Sequence, residues 1–140
     1  MTSAYPSLLS ALVADLRTFA STFATPFAVH VGRATGAPPY AVLGGPDIES
    51  ESTAAPDDER ATAPSGVLMT ARVFGSFGEA ITISAAVQDR WLSGAVAVPG
   101  RTVVAAELAQ SVPIPSVPGV SGEPAVTGRQ VGVRFTTHPA

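Results

Sequence analysis

From Gly66 to Leu92 the sequence GVLMTARVFGSFGEAITISAAVQDRWL runs one strand pattern straight into one helix pattern, and this junction constrains the chain most. Val67, Met69, Ala71 and Val73 alternate with Leu68, Thr70, Arg72 and Phe74, the two-residue period of a strand whose faces meet different surroundings. Both faces carry apolar residues, which predicts a central strand. Gly75 breaks the run. Ser76, Phe77, Gly78 and Glu79 then read Ser-x-x-Glu, a capping box. In that motif the Ser76 hydroxyl accepts from the Glu79 amide and the Glu79 carboxylate accepts from the Ser76 amide, so the helix is expected to start at Phe77. Ala80, Ile83, Val87 and Trp91 fall three, four and four residues apart and line one stripe, leaving Glu79, Gln88, Asp89 and Arg90 for water. Gly94 supplies a left-handed stop. Such a helix packs back across the sheet it has just left, with Trp91 as its largest buried anchor.

The chain has 140 residues, one domain's worth, and the expectation is a single domain over 1–140. It has no cysteine, which excludes disulfides and thiolate metal sites. No apolar run approaches the ~20 residues of a membrane span, and the N-terminus lacks the basic start and apolar middle of a signal peptide. These features predict a soluble, unprocessed protein with no membrane partner. Charge is uneven: Asp47, Glu49, Glu51, Asp57, Asp58 and Glu59 against Arg60 leave a net of minus five in one stretch, while the whole chain is minus three. All eight basic residues are arginines, too few and too scattered for a phosphate-binding face, which argues against direct nucleic-acid binding.

Around the junction, Leu8, Leu12, Leu16, Phe19 and Phe23 recur at helical spacing, which predicts an N-terminal helix over about 6–23 with Pro6 in its first turn and Pro26 beyond its end. Phe27 to Arg33 reads as a first strand, Ala34 to Pro39 as a turn, and Tyr40 to Leu43 as a short second strand. Residues 44–65 are acidic, rich in Ala, Ser, Thr and Pro, and almost without large apolar side chains; they are expected to form a long loop. Ala95 to Val98 and Arg101 to Leu108 read as a hairpin around Pro99 and Gly100. Gln110 to Pro124 holds Pro113, Pro115, Pro118 and Pro124, which predicts an extended Pro-rich loop rather than a strand. Val126 to Thr137 closes the chain as a strand, with Val131, Val133 and Phe135 on one face. The expected fold is α+β: one mostly antiparallel sheet of about four to five strands covered by two helices, about 6–23 and 77–92.

Catalytic signatures are missing. There is no phosphate-cradling Gly-rich loop followed by Lys, no His-x-x-x-His and no nucleophile elbow. His30 reads as an ordinary strand residue and His138 as solvated. Asp57, Asp58 and Glu59 could offer carboxylate oxygens to a cation, but adjacent acids in a loop read first as a solvated charge run. Trp91, Phe74 and Phe77 read as core rather than as a ligand box; the core anchors are Tyr40, Phe74, Val87, Trp91 and Phe135. No enzyme, cofactor or metal is expected, and two loops on a small rigid sheet point instead to assembly.

The pattern as a whole resembles the tail terminator, or tail completion, proteins of long-tailed phages and gene transfer agents. The resemblance lies in the N-terminal amphipathic helix and the segment Pro38, Pro39, Tyr40, Ala41, Val42, Leu43, Gly44, similar to the family's Pro-Tyr-Val-Val-Leu-Gly. A variable insertion, a strand like Met69 to Phe74, a Gly-x-x-Glu-Ala type helix at Gly75 to Leu92, and closing strands around Val103 to Leu108 and Arg129 to Thr137 complete it. The lengths of 44–65 and of 110–124 depart from the family. The resemblance implies a structural virion protein without enzymatic activity, made in the host cytoplasm. It implies a hexameric homo-oligomer ring that caps the tail tube protein at the head-proximal end of the tail and meets the head completion or connector protein. DNA would pass through its channel without specific binding. On this reading Asp47, Glu49, Glu51, Asp57, Asp58, Glu59 and Arg60 are assembly contacts or a channel-facing loop. Two alternatives stand beside it: a head-completion protein on the portal side, and a small ligand-binding or enzyme domain.

Overall fold

The computed structural model describes residues 4–44, 50–53, 65–117 and 126–139. In chain order the elements are α1 (Ala4–Thr22), β1 (Ala28–Val31), β2 (Tyr40–Leu43), β3 (Ser50–Thr53), β4 (Ser65–Gly75), α2 (Phe77–Leu92), β5 (Arg101–Val117) and β6 (Val126–Pro139). The fold is α+β, as expected.

Strand β4 is the centre. It runs antiparallel to β6 along its whole length, from Ser65 opposite Thr137 to Gly75 opposite Thr127. Its other side is shared end to end by β2, opposite Ala71–Phe74, and β3, opposite Ser65–Leu68. The sheet order β1-β2-β4-β6-β5 is completed by β1 parallel to β2 and by β5 antiparallel to β6. The parallel pair needs no helical crossover because β1 is only four residues long. Its ~13 Å can be retraced by the residues between Val31 and Tyr40, where Gly32 and Gly36 take positive φ of 71° and 89°.

The alternation of β4 sorts side chains as the sequence predicts. Val67, Met69, Ala71 and Val73 are fully buried, and Phe135, Val133 and Val131, the cross-strand partners of the first three, are buried with them. Both helices cover this face: Leu8, Leu12 and Leu16 of α1 and Ile83, Val87 and Trp91 of α2 enter one core, with the Trp91 and Phe135 rings edge to face at 5.9 Å. Helix α2 starts at its capping box. The Ser76 amide donates to Glu79 Oε1 at 2.8 Å and the Glu79 amide to Ser76 Oγ at 3.3 Å. Gly94, at φ 75°, follows its end. At the end of α1 the Thr18, Ser21 and Thr22 hydroxyls donate back to the Ala14, Thr18 and Phe19 carbonyls, the side-chain competition that accompanies fraying before Pro26.

Four expectations are corrected. Gln110–Val117 is strand, not loop. Strand β5 lies at the sheet's edge, where Pro113 and Pro115 fall in its last third. An edge strand has a side with no ladder to lose, which is where proline is tolerated. Register shifts at Val103/Ala105, Leu108/Gln110 and Ile114/Val117 bend this edge further. Within the acidic stretch, Ser50–Thr53 forms β3 and Ser65 opens β4; polar backbone pairs as well as apolar backbone once β4 offers a free flank. Residues 45–49, 54–64 and 118–125 lie outside the described ones. The Ala95–Val98 arm is no strand, since only Val98 bridges Arg101. Finally, Phe77 is not core: it is 70% exposed.

Truncating Trp91 to Ala should cost ~3–5 kcal/mol of stability, while Ser76→Ala should cost ~1 kcal/mol through the lost cap. Urea unfolding followed by circular dichroism separates the two.

Candidate functional site

Of the residues expected to make contacts, Asp47, Glu49, Asp57, Asp58, Glu59 and Arg60 lie outside the described residues, and Glu51 belongs to β3 with its backbone opposite Val67. Among the described residues no group of three or more His, Cys, Asp or Glu is placed to hold a metal ion. No described helix is long and apolar enough to cross a membrane. Of the expected core anchors, Val87, Trp91 and Phe135 are buried under the helices.

Tyr40 and Phe74 are half-buried on the opposite face of the sheet, a correction to their reading as core. The pairing puts them in one cross-strand row with Gly128. His30, Tyr40 and Phe74 stack in sequence, centroids 5.7 and 5.6 Å apart. The absence of a side chain at Gly128 makes room for the Phe74 ring, which a Cβ there would meet at 2.8 Å. His30, Val42, Arg72 and Gln130 form the next row. His30 Nε2, Arg72 Nε and Thr70 Oγ1 are buried on this face without a hydrogen-bond partner among the described residues. His138, expected to be solvated, is half-buried, with Nδ1 2.9 Å from the Pro139 carbonyl. Gln130 Nε2 donates to Gln110 Oε1 at 3.0 Å. The face is aromatic and polar, and among the described residues it joins no nucleophile to a base.

A groove of about 830 Å³ lies on the outer flank of α1. Its walls are small: Ala11 and Ala14 on α1 face Ala95, Ala97 and Pro99 of the segment after α2. Its one charged side chain is Asp15. Arg90 holds that carboxylate with two bonds, Nη2 to Oδ1 at 2.6 Å and Nε to Oδ2 at 2.9 Å, and sits 5.8 Å above the Phe19 ring. The hydrogen bond first and the opposite charge second push the Arg90 pKa up, so it stays charged at any pH the protein meets. Asp15 is therefore already neutralised, and a groove with its carboxylate so committed offers contact, not acid–base chemistry.

Large apolar side chains are exposed elsewhere. Phe77 and Ile81, 70% and 41% exposed, stand one turn apart at the start of α2; Val104, Leu108 and Val112 are exposed along β5. Sequence reading missed Phe77 as a surface residue. A signal was available, because at ~100° per residue Ile81 falls well off the Ala80–Trp91 stripe and Phe77 lies on the same flank as Ile81.

No protein-family model matches the chain, and no curated protein matches it. Its fold does have a solved counterpart. One chain of a structure described as "Virion of native gene transfer agent (GTA) particle" superposes with a TM-score of 0.70 at 16% identity, covering 99% of both chains. At that identity the likeness is one of fold.

Replacing Asp15 with Ala should lower the melting temperature and raise amide exchange in α1, because Arg90 loses its partner where the two helices meet. Ser10→Ala, in the same groove, should leave both unchanged.

Proposed function

We propose that this chain is a structural virion protein of the tail terminator kind. Copies form a hexameric ring that caps the tail tube, ends tube growth and offers the surface that joins the tail to the head connector. The observation that supports it most is the end-to-end likeness of fold, over 99% of both chains, to a chain of a gene transfer agent virion. The Pro-Tyr-Ala-Val-Leu-Gly segment and the capped helix after the central strand, both singled out in the sequence, fall in β2 and α2 of that shared fold. The protein acts by contact and needs no cofactor. Its partners are further copies of itself, the tube protein and the head connector.

The acidic stretch from Asp47 to Glu59 borders the channel on this reading. Like charges repel at short range even through salt, so a carboxylate-lined passage lets DNA slide rather than stick.

Deleting the gene from its parent genome and imaging the particles tests the reading. Over-long, uneven tubes without heads are expected. Uniform tails beside unattached heads would move the protein to the portal side, and unchanged particles would overturn it. Joint neutralisation of the acidic stretch, Asp57→Asn, Asp58→Asn and Glu59→Gln, should leave tail length unchanged and slow DNA delivery. Unaltered delivery would remove the channel role.

A further inference from the structure

We infer that Arg17 is an edge guard: held across the open side of β1, its guanidinium occupies a backbone carbonyl that would otherwise pair with an added strand. This goes beyond the ring reading and does not depend on it.

Among the described strands β1 ends the sheet path, with β2 on one side only. The amides of Ala28 and Gly32 donate to the Pro39 and Leu43 carbonyls. In a parallel ladder every second residue bonds to the neighbour, so Ala28, His30 and Gly32 face β2, while Val29 and Val31 turn their amides and carbonyls outward. That side is open to water. Ala28 is exposed, Val31 is 48% exposed, and a hollow of about 350 Å³ lies between Val31 and the Leu9, Val13 and Ala14 side of α1.

Nothing within β1 protects this side. Edge strands are kept from pairing by charge, proline, a bulge or a cover. The Ala28–Val31 segment, AVHV, holds no Lys, Arg, acid or proline, and it pairs with β2 in unbroken register. Its two outward carbonyls are nevertheless both taken, by groups from outside the strand. Arg17 donates to the Val29 carbonyl through Nε and Nη2 at 3.3 and 3.2 Å. The Arg33 amide donates to the Val31 carbonyl at 2.7 Å, a bond between residues two apart that Gly32 permits at φ 71°.

An incoming strand would therefore find two outward donors, the Val29 and Val31 amides, and no free acceptor beside them. Hydrogen bonds from a charged donor are stronger than those between neutral amides, so a strand gains little by displacing Arg17. The two caps differ in kind. The turn at Gly32 is fixed by the chain that follows β1, whereas Arg17 reaches the carbonyl from 12 positions upstream, as a long exposed side chain. It is the part that can be removed without rebuilding β1.

The test reads β1 and not the mass of any assembly. Amide hydrogen exchange over Ala28–Val31, followed by mass spectrometry from low to high protein concentration, should show the Val29 and Val31 amides of the parent exchanging at a concentration-independent rate. In Arg17→Ala the same amides should slow by roughly tenfold at high concentration as copies pair through β1, about what one net backbone hydrogen bond supplies. Arg17→Met, which keeps the aliphatic stem and loses the donors, should slow them likewise. Adding Val31→Pro to Arg17→Ala should abolish the effect, because the proline removes an outward amide that β2 does not use. Position 17 is exposed, so both single variants should stay folded. A merely structural Arg17 predicts a lower melting temperature with exchange independent of concentration, and that result overturns the guard. Slowing in Arg17→Ala but not in Arg17→Met would trace to lost packing and overturn the carbonyl's role. Slowing in the parent itself, or slowing that survives the proline, overturns it as well: the edge would pair with Arg17 in place, or the contact would lie elsewhere.

Discussion

The inner face of β4 is the surface on which the rest of the protein depends. Val67, Met69, Ala71 and Val73 have no exposed area, and each is packed from two directions. Within the sheet, β6 lines one side of β4 while β2 and β3 share the other. Across the layer, α1 and α2 press Leu12, Leu16, Ile83 and Trp91 onto the same row. Burial of this kind is the main favourable term in folding, and it scales with apolar area removed from water. The tight turn from Gly75 into the Ser76 cap matters because it commits α2 to this face at once. A Cβ at Gly75 would meet the Glu79 Cβ at 2.9 Å, so the elbow closes only around glycine.

The reverse face is organised by a different economy. Glycine at 128 and 132 in β6 lets Phe74 and Gln110 lie flat across the strand, where a Cβ would stand 2.8 and 2.6 Å from them. Side chains from neighbouring strands thus shield backbone that no helix covers. Glycine inside a strand weakens it in isolation, and here that loss is offset by close side-chain approach. The same outlook explains β5. A long edge strand is a template for aggregation unless it is bent, charged or interrupted by proline. Pro113, Pro115 and the three register shifts interrupt this edge.

How much of this was visible in the residues differs from element to element. Helix α2 was placed at Phe77–Leu92 and β2 at Tyr40–Leu43, matching the structure at both ends. Both are bounded by local chemistry: Ser76 and Glu79 at one, Pro39 and Gly44 at the other. The candidate groove was not visible at all. Its walls come from two segments some eighty residues apart in the chain, joined by the Arg90–Asp15 pair across 75 positions. Small residues such as Ala14 and Ala97 send no signal until a fold sets them opposite each other. The acidic stretch stood out by composition, yet composition could not tell that four of its polar residues would pair with β4.

By itself, then, the sequence determined the period of each element, the α2 cap, and which face of β4 and β6 is apolar, because these depend on residues within a few positions of one another. Tertiary structure decided the rest. It made β5 an edge, so that prolines which forbid a central strand were admitted to one. It set α1 beside the end of α2, which created the groove. In each case the outcome rests on what a residue meets across the fold, and that depends on packing between segments far apart in sequence, which no local pattern encodes.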